Sequence, residues 1–195
     1  MTISAAVLVG GQATRFGGRD KSTLIVEGQS ILARQLAELR QLTDDVLIVG
    51  REQAHEGARA VPDLAPGCGP LGGLQTALTA ARGDITIVVA CDMPFITAPL
   101  MAHLAALAST ADAVMPKTED GYHPLCAAYT RACREPIARL LAEGRFRMTE
   151  LLAEVRFRLV TPGELDRFGD HRRLLANVNT PAEYSGLEAL QGHEL

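Results

Sequence analysis

Residues 5–21 read AAVLVGGQATRFGGRDK: five apolar residues, two glycine pairs bracketing Arg15, then Asp20 and Lys21. A run that is apolar at consecutive positions suits a strand buried on both faces, inside a sheet covered by helices on each side. The glycines that follow remove the side chains that would keep a ligand away from main-chain N–H groups. They also permit the positive φ angles that let such groups converge on an anion. Arg15 and Lys21 add a planar guanidinium and a compact ammonium, both suited to polyphosphate. Strand, glycine loop and cations together read as the opening unit of an α/β nucleotide-binding fold.

Spacing excludes two common forms of such a loop. A dinucleotide fingerprint needs G-x-G-x-x-G, but Gly10 and Gly11 are adjacent and the next glycines are Gly17 and Gly18. A P-loop needs glycine directly before the lysine, and Asp20 stands there. Asp20 either orients Lys21 or balances its charge.

The apolar signature recurs in DVLIVG (residues 45–50), DITIVVAC (84–91) and DAVMP (112–116). Between these runs lie stretches of helical period: ILARQLAELRQL after a Ser30 cap, GGLQTALTAAR after a Gly-Pro loop, and PLMAHLAALA after a Thr97 cap. This alternation predicts a three-layer α/β/α sandwich. Beyond Asp112 the pattern changes. HPLCAAYT reads as a strand, REPIARLLAEG as a helix, TELLAEV as a short helix and RFRLVT as a strand, so the last third is expected to add strands to an edge of the main sheet. No repeat or linker divides the 195 residues, and a single domain over residues 1–195 can bury its core without disulfides or structural metal.

A formal net charge of −4 argues against a broad nucleic-acid footprint, so the basic residues must act locally. No segment has the length of a membrane span, and the N-terminus lacks a basic leader, which makes a cytoplasmic protein the expectation. Cys68, Cys91, Cys126 and Cys133 form no C-x-x-C pair and read as small hydrophobes in a reducing compartment. A zinc site from His123, Cys126 and Cys133 lacks a standard ligand pair.

In open α/β sheets ligands bind beyond the carboxyl ends of the strands. In DITIVVACDMPF the apolar run ends abruptly at Asp92. That carboxylate is placed either to hold Mg²⁺, which prefers carboxylate oxygen plus substrate phosphate, or to form a turn or helix cap. Asp63, which ends ARAVPD, caps the next turn or touches a ribose or base; spacing does not choose. No nucleophile elbow or His-Asp-Ser set is present, and phosphoryl or nucleotidyl transfer needs none, only alignment and charge neutralisation.

With these residues assembled, the chain resembles the molybdenum cofactor guanylyltransferases (MobA type) of the nucleotidyltransferase superfamily. VLVGGQATRFGGRDKSTL, VPDLAPGCGPLGGLQTAL, CDMPF, HPLCAAY and NVNTPAEY occur in the family's order over nearly the whole length. The resemblance implies a Rossmann-like fold with a mixed, mostly parallel sheet. It implies transfer of GMP from Mg-GTP to the terminal phosphate of molybdopterin, with pyrophosphate released. It places Leu8, Val9, Gly10 and Gly11 against the nucleotide, Arg15 and Lys21 on its phosphates, Asp63 in the GTP site and Asp92 on Mg²⁺. Arg147, Asn177 and Asn179 match positions associated with the pterin. Contact with molybdenum cofactor insertion proteins or molybdoenzymes would be transient. The family commonly has Ala at the position of Val9 and Asn near Val49-Gly50. The CTP-dependent cytidylyltransferase of the same pathway usually has Ala-Ala-Gly in place of the glycine pair and lacks the Asp before the lysine, so Gly10-Gly11 and Asp20-Lys21 favour GTP. A non-catalytic delivery adaptor would have less need of Arg15, Lys21 and Asp92 together.

Overall fold

Alternate residues of the first strand, β1 (Ile3–Leu8), enter two different cores in the computed structural model, which describes residues 1–9, 23–52, 54–55 and 57–178. Ala5 and Val7 join Ile48, Ile87, Val89 and Ala128 on one face, whereas Ala6 and Leu8 join Leu47, Val49, Val88 and Tyr129 on the other. This two-sided burial is why the central strands carry apolar residues at consecutive positions rather than only at alternate ones. Each fully buried Ile or Leu adds about 1.5–3 kcal/mol to the folded state.

A short hairpin, β2 (Ile25–Val26) and β3 (Gln29–Ser30), precedes α1 (Ile31–Leu39). Its two-residue turn is Glu27 at φ 49° and Gly28 at φ 81°. Positive φ at both central positions matches the strand twist, and it costs a non-glycine residue on the order of 1 kcal/mol. β4 (Val46–Val49), β5 (Arg59–Val61), α2 (Gly69–Ala80), β6 (Ile85–Ala90) and α3 (Ala98–Leu107) follow. Then come β7 (Ala113–Thr118), β8 (Gly121–Tyr122), β9 (Cys126–Thr130), α4 (Arg134–Ala142), α5 (Met148–Leu151), β10 (Phe157–Val160), α6 (Pro162–Leu165) and α7 (His171–Leu174). α1 and α3 cover one face of the sheet; α2 and α4 cover the other. The expected three layers are present.

The strand order is β10-β7-β9-β6-β1-β4-β5, with β8 paired to β7. β9 runs antiparallel to both neighbours, while β10, β7, β6, β1, β4 and β5 share one direction. The strands of the last third extend the sheet on the β6 side, but they do not simply line its edge: β9 lies between β6 and β7, and β10 alone forms the border. The connection from β7 through β8 is too short for a helical crossover, so the chain returns antiparallel.

Ser30 caps α1 as expected, its Oγ accepting from the Ala33 N–H at 3.2 Å. α2 starts earlier than the sequence suggests, taking Gly69 and Pro70 into its first turn. Thr97 holds the N-cap position of α3 without a side-chain bond into the helix, and Glu38 of α1 accepts the Ala98 N–H at 2.6 Å instead.

Cys126 and Cys133 are fully buried in cores on opposite faces of the sheet, so they cannot share an ion with His123. Burial pushes both thiols up to about 12. Cys68 and Cys91 are half-buried.

At the opposite end of the strands, the Gly83 N–H donates to Ser4 Oγ at 2.8 Å. A Cβ on Gly83 would stand 2.6 Å from Ser4 N and 2.7 Å from Ile3 C, both backbone atoms. Gly83→Ala is therefore expected to destabilise the fold by about 2 kcal/mol through forced backbone movement. A urea melt within about 0.5 kcal/mol of wild type would show that the β1 start yields freely.

Candidate active site

Leu8 lies level with Val49 on one side and Ala90 on the other. Pairing runs one residue further: the Val9 N–H donates to Val49 O at 2.8 Å and the Cys91 N–H to Leu8 O at 3.2 Å. From β1 the chain winds outward through β4 and β5, then returns to place β6 on the other flank of β1. Such a switch point opens a crevice at the carboxyl ends of the strands. The glycine loop leaves β1 there, and Asp92 stands two residues beyond the end of β6.

Asp92 is half-buried. It does not cap α3, whose N-cap position is held by Thr97. A turn holds it, with the Met93 N–H on Ala90 O at 3.3 Å, and Pro94 follows. The Val178 N–H donates to Asp92 O at 2.8 Å, so the C-terminal arm crosses the end of β6. Val178 is 1% exposed and packs with Val26, Ile31 and Phe95, which leaves Asn177 exposed beside Asp92.

Asp63 Oδ1 accepts from the Ala65 N–H at 3.0 Å and from Thr76 Oγ1 at 3.1 Å, folding the loop after β5 onto α2. Gly72 makes room for that loop, since a Cβ there would lie 2.6 Å from Ala65 O. Leu8 points into the α2 core, where a Cβ on Gly73 would sit 3.3 Å from its Cδ1. Any ligand contact from Leu8 is thus through its backbone. Val49 is 3% exposed and faces the same core, which removes its side chain from base or ribose recognition.

Arg147 is exposed before α5, its own N–H donating to Glu150 Oε2 at 3.3 Å. Met148 and Leu151 beside it pack on the α2 and α4 side, whereas Phe95 and Val178 pack with Ile31 of α1. The structure therefore brings Asn177 to Asp92 and sets Arg147 on the other flank of the sheet. Gly10, Gly11, Arg15, Asp20, Lys21 and Asn179 lie outside the described residues.

Sequence reading passed over a group next to Asp92. Glu27 Oε2 meets Arg34 Nη2 at 2.9 Å, and its Oε1 meets Arg173 Nη2 at 2.6 Å. The Arg173 guanidinium lies 4.2 Å from the centre of the Phe95 ring, and Arg34 Nε donates to Pro94 O at 3.3 Å. Arg34, Phe95 and Arg173 border a cavity of about 420 Å³ that Gln29 and Asp170 also line. The Glu-Gly turn in VEGQS signals a hairpin, but nothing local signals a partner 146 residues away.

The geometry, a mostly parallel sheet with a half-buried strand-end carboxylate at its switch point, is that of an α/β ligand-binding fold. The chain belongs to the MobA-like NTP transferase domain family, whose model matches residues 5–157. A protein of Chloroflexus aggregans named "Probable molybdenum cofactor guanylyltransferase" is 34% identical over 98% of this chain and 96% of its own length. The crystal structure of molybdopterin-guanine dinucleotide biosynthesis protein A from Archaeoglobus fulgidus superposes with a TM-score of 0.80 at 24% identity, covering 97% of this chain and 98% of that one. The 2-C-methyl-D-erythritol 4-phosphate cytidylyltransferase of Thermus thermophilus shares the fold with a TM-score of 0.71 at 19% identity, covering 98% of this chain and all (100%) of the other.

Proposed function

We propose that this chain is a molybdenum cofactor guanylyltransferase that moves GMP from Mg-GTP to the terminal phosphate of molybdopterin. The observation that carries the reading is the Val178–Asp92 backbone bond, which seats Asn177 and Val178 beside the strand-end carboxylate. The names of the relatives support it, and so does the Gly10-Gly11 and Asp20-Lys21 pattern.

In this reading an oxygen of the acceptor phosphate bonds to the α-phosphorus of GTP as the bond to the pyrophosphate oxygen breaks. The acceptor phosphate has a second pKa of about 6, so it is largely ionised at neutral pH and no strong base is required. The backbone of residues 8–11 lies against the nucleotide, and Asp63 belongs to the same site. Arg15 and Lys21 hold its phosphates and offset the charge that develops on transfer. Asp92 offers a half-buried, hard oxygen donor of the kind Mg²⁺ accepts, so the residue fits the metal. Bound there, Mg²⁺ would neutralise phosphate charge. Asn177 and Asn179 face the pterin or its phosphate, whereas Arg147, set on the α2 and α4 side, would have to meet it from the other flank of the sheet. Among the described residues no helix is long and apolar enough to cross a membrane. A cytoplasmic enzyme that hands its product to insertion proteins or molybdoenzymes by transient contact completes the proposal.

Incubation with each of the four NTPs, Mg²⁺ and molybdopterin, followed by product mass analysis, tests it. GTP is expected to be preferred over CTP by at least about tenfold, roughly 1.4 kcal/mol, which two or three hydrogen bonds to guanine supply. Equal use of CTP would make the chain a cytidylyltransferase, and no pyrophosphate from any NTP would make it a binding module.

A further inference from the structure

We propose that Glu27 is a positioning residue that clamps the C-terminal arm onto the hairpin following the glycine loop, and so presents the acceptor side of the site to the nucleotide side. The proposal rests on the reading above for what the two sides bind. Glu27 occupies a position that glycine or asparagine adopts with less strain, at φ 49° in the β2–β3 turn. Its carboxylate is the shared anion of two guanidiniums from distant parts of the chain, Arg34 Nη2 at 2.9 Å and Arg173 Nη2 at 2.6 Å.

Both arginines close on the segment that carries Asp92. Arg34 donates to Pro94 O at 3.3 Å, and Arg173 lies over Phe95 at 4.2 Å. Five residues beyond Arg173, the Val178 N–H is fixed to Asp92 O at 2.8 Å, with Asn177 exposed just before it. Val26 of the hairpin, Phe95 and Val178 share one small core beneath the clamp. The carboxylate thus joins three segments at the point where donor and acceptor must be aligned.

The side chains of Glu27, Arg34 and Arg173 are 35%, 24% and 33% exposed, and ion pairs at such exposure add little to global stability. Their effect is therefore expected in the register of the arm rather than in the melting temperature. Asparagine tolerates the left-handed conformation, so Glu27→Asn removes the carboxylate while keeping the turn.

Two readouts test the clamp. In Glu27→Asn the amide of Val178 should exchange with solvent about tenfold faster, and KM for molybdopterin should rise about tenfold while KM for GTP stays within about twofold. Arg173→Gln should reproduce both effects, and the double variant should be no worse than either single one. Arg173→Gln also reads the clamp from its other side if Glu27→Asn is too unstable to assay. Unchanged exchange at Val178, or equal rises in both KM values, would overturn the proposal. A wild-type enzyme that makes no product from GTP and molybdopterin would defeat the functional reading instead, and the Val178 exchange rate would still decide whether Glu27 holds the arm.

Discussion

Asp92→Ala is expected to lower Mg²⁺-dependent nucleotidyl transfer by about a thousandfold, near 4 kcal/mol of transition-state stabilisation. The substitution removes the carboxylate at the end of β6, and with it the proposed hard-oxygen ligand of the metal. It leaves the main chain in place: the Val178 N–H bonds to the Asp92 carbonyl, and the Met93 N–H to that of Ala90, so neither depends on the side chain. The fold should therefore survive, with an unchanged circular dichroism spectrum and a melt close to wild type. Pyrophosphate release across a Mg²⁺ titration is the measurement. A folded variant that keeps turnover within about tenfold of wild type would show that Asp92 is a turn residue and that the metal ligand lies elsewhere.

Asp45→Ala is expected to cost about 3 kcal/mol of stability without touching the site. The Asp45 side chain is 12% exposed at the start of β4. It accepts from Ser4 Oγ at 2.5 Å, from the Arg82 N–H at 2.9 Å and from Arg59 Nη2 at 2.7 Å. Alanine would strand these donors where three strands begin. Burial opposes ionisation of Asp45, but the bonds from Ser4, the Arg82 N–H and Arg59 outweigh it and hold the carboxyl below its ordinary range. The sign follows from that depression: the unfolded chain takes up the proton first. The contribution is fully present above the unfolded value of about 4 and is lost as pH falls through the lower folded value. Asp84, Asp112, Glu164 and Asp166 are depressed in the same direction, so the wild type loses stability in acid for several reasons. Those terms cancel in the comparison with Asp45→Asn. The stability difference between wild type and Asp45→Asn should be constant from neutral pH down to about 4 and shrink below it. A difference that does not change with pH would mean that Asp45 is not bonded in its charged form.

Local chemistry made much of this protein legible from residues alone. Consecutive apolar positions in β1, β4 and β6 specify strands buried on both faces, because a half-exposed strand would alternate. Ser30 announced the start of α1 because a cap bond spans only three residues, and the abrupt change from Cys91 to Asp92 marked a strand end at the ligand edge. The glycine pairs and the order of the family's motifs led to the nucleotidyltransferase assignment for the same reason: each is a contiguous signal. What required the tertiary structure were relations between segments that no periodicity encodes. β9 enters between β6 and β7 because the short β7–β8–β9 connection permits only an antiparallel return, while its apolar pattern would have suited an edge as well. The cap on Ala98 comes from Glu38 on a neighbouring helix rather than from the adjacent Thr97. The bond from Thr76 Oγ1 to Asp63, which ties the loop after β5 to α2, likewise spans 13 residues that no local motif links. The meeting of Glu27, Arg34 and Arg173 around Phe95 depends on charges brought together across 146 residues of chain. Charge pairing at that separation has no sequence period, because it is set by where the packed core leaves the chain ends and not by the residues beside them.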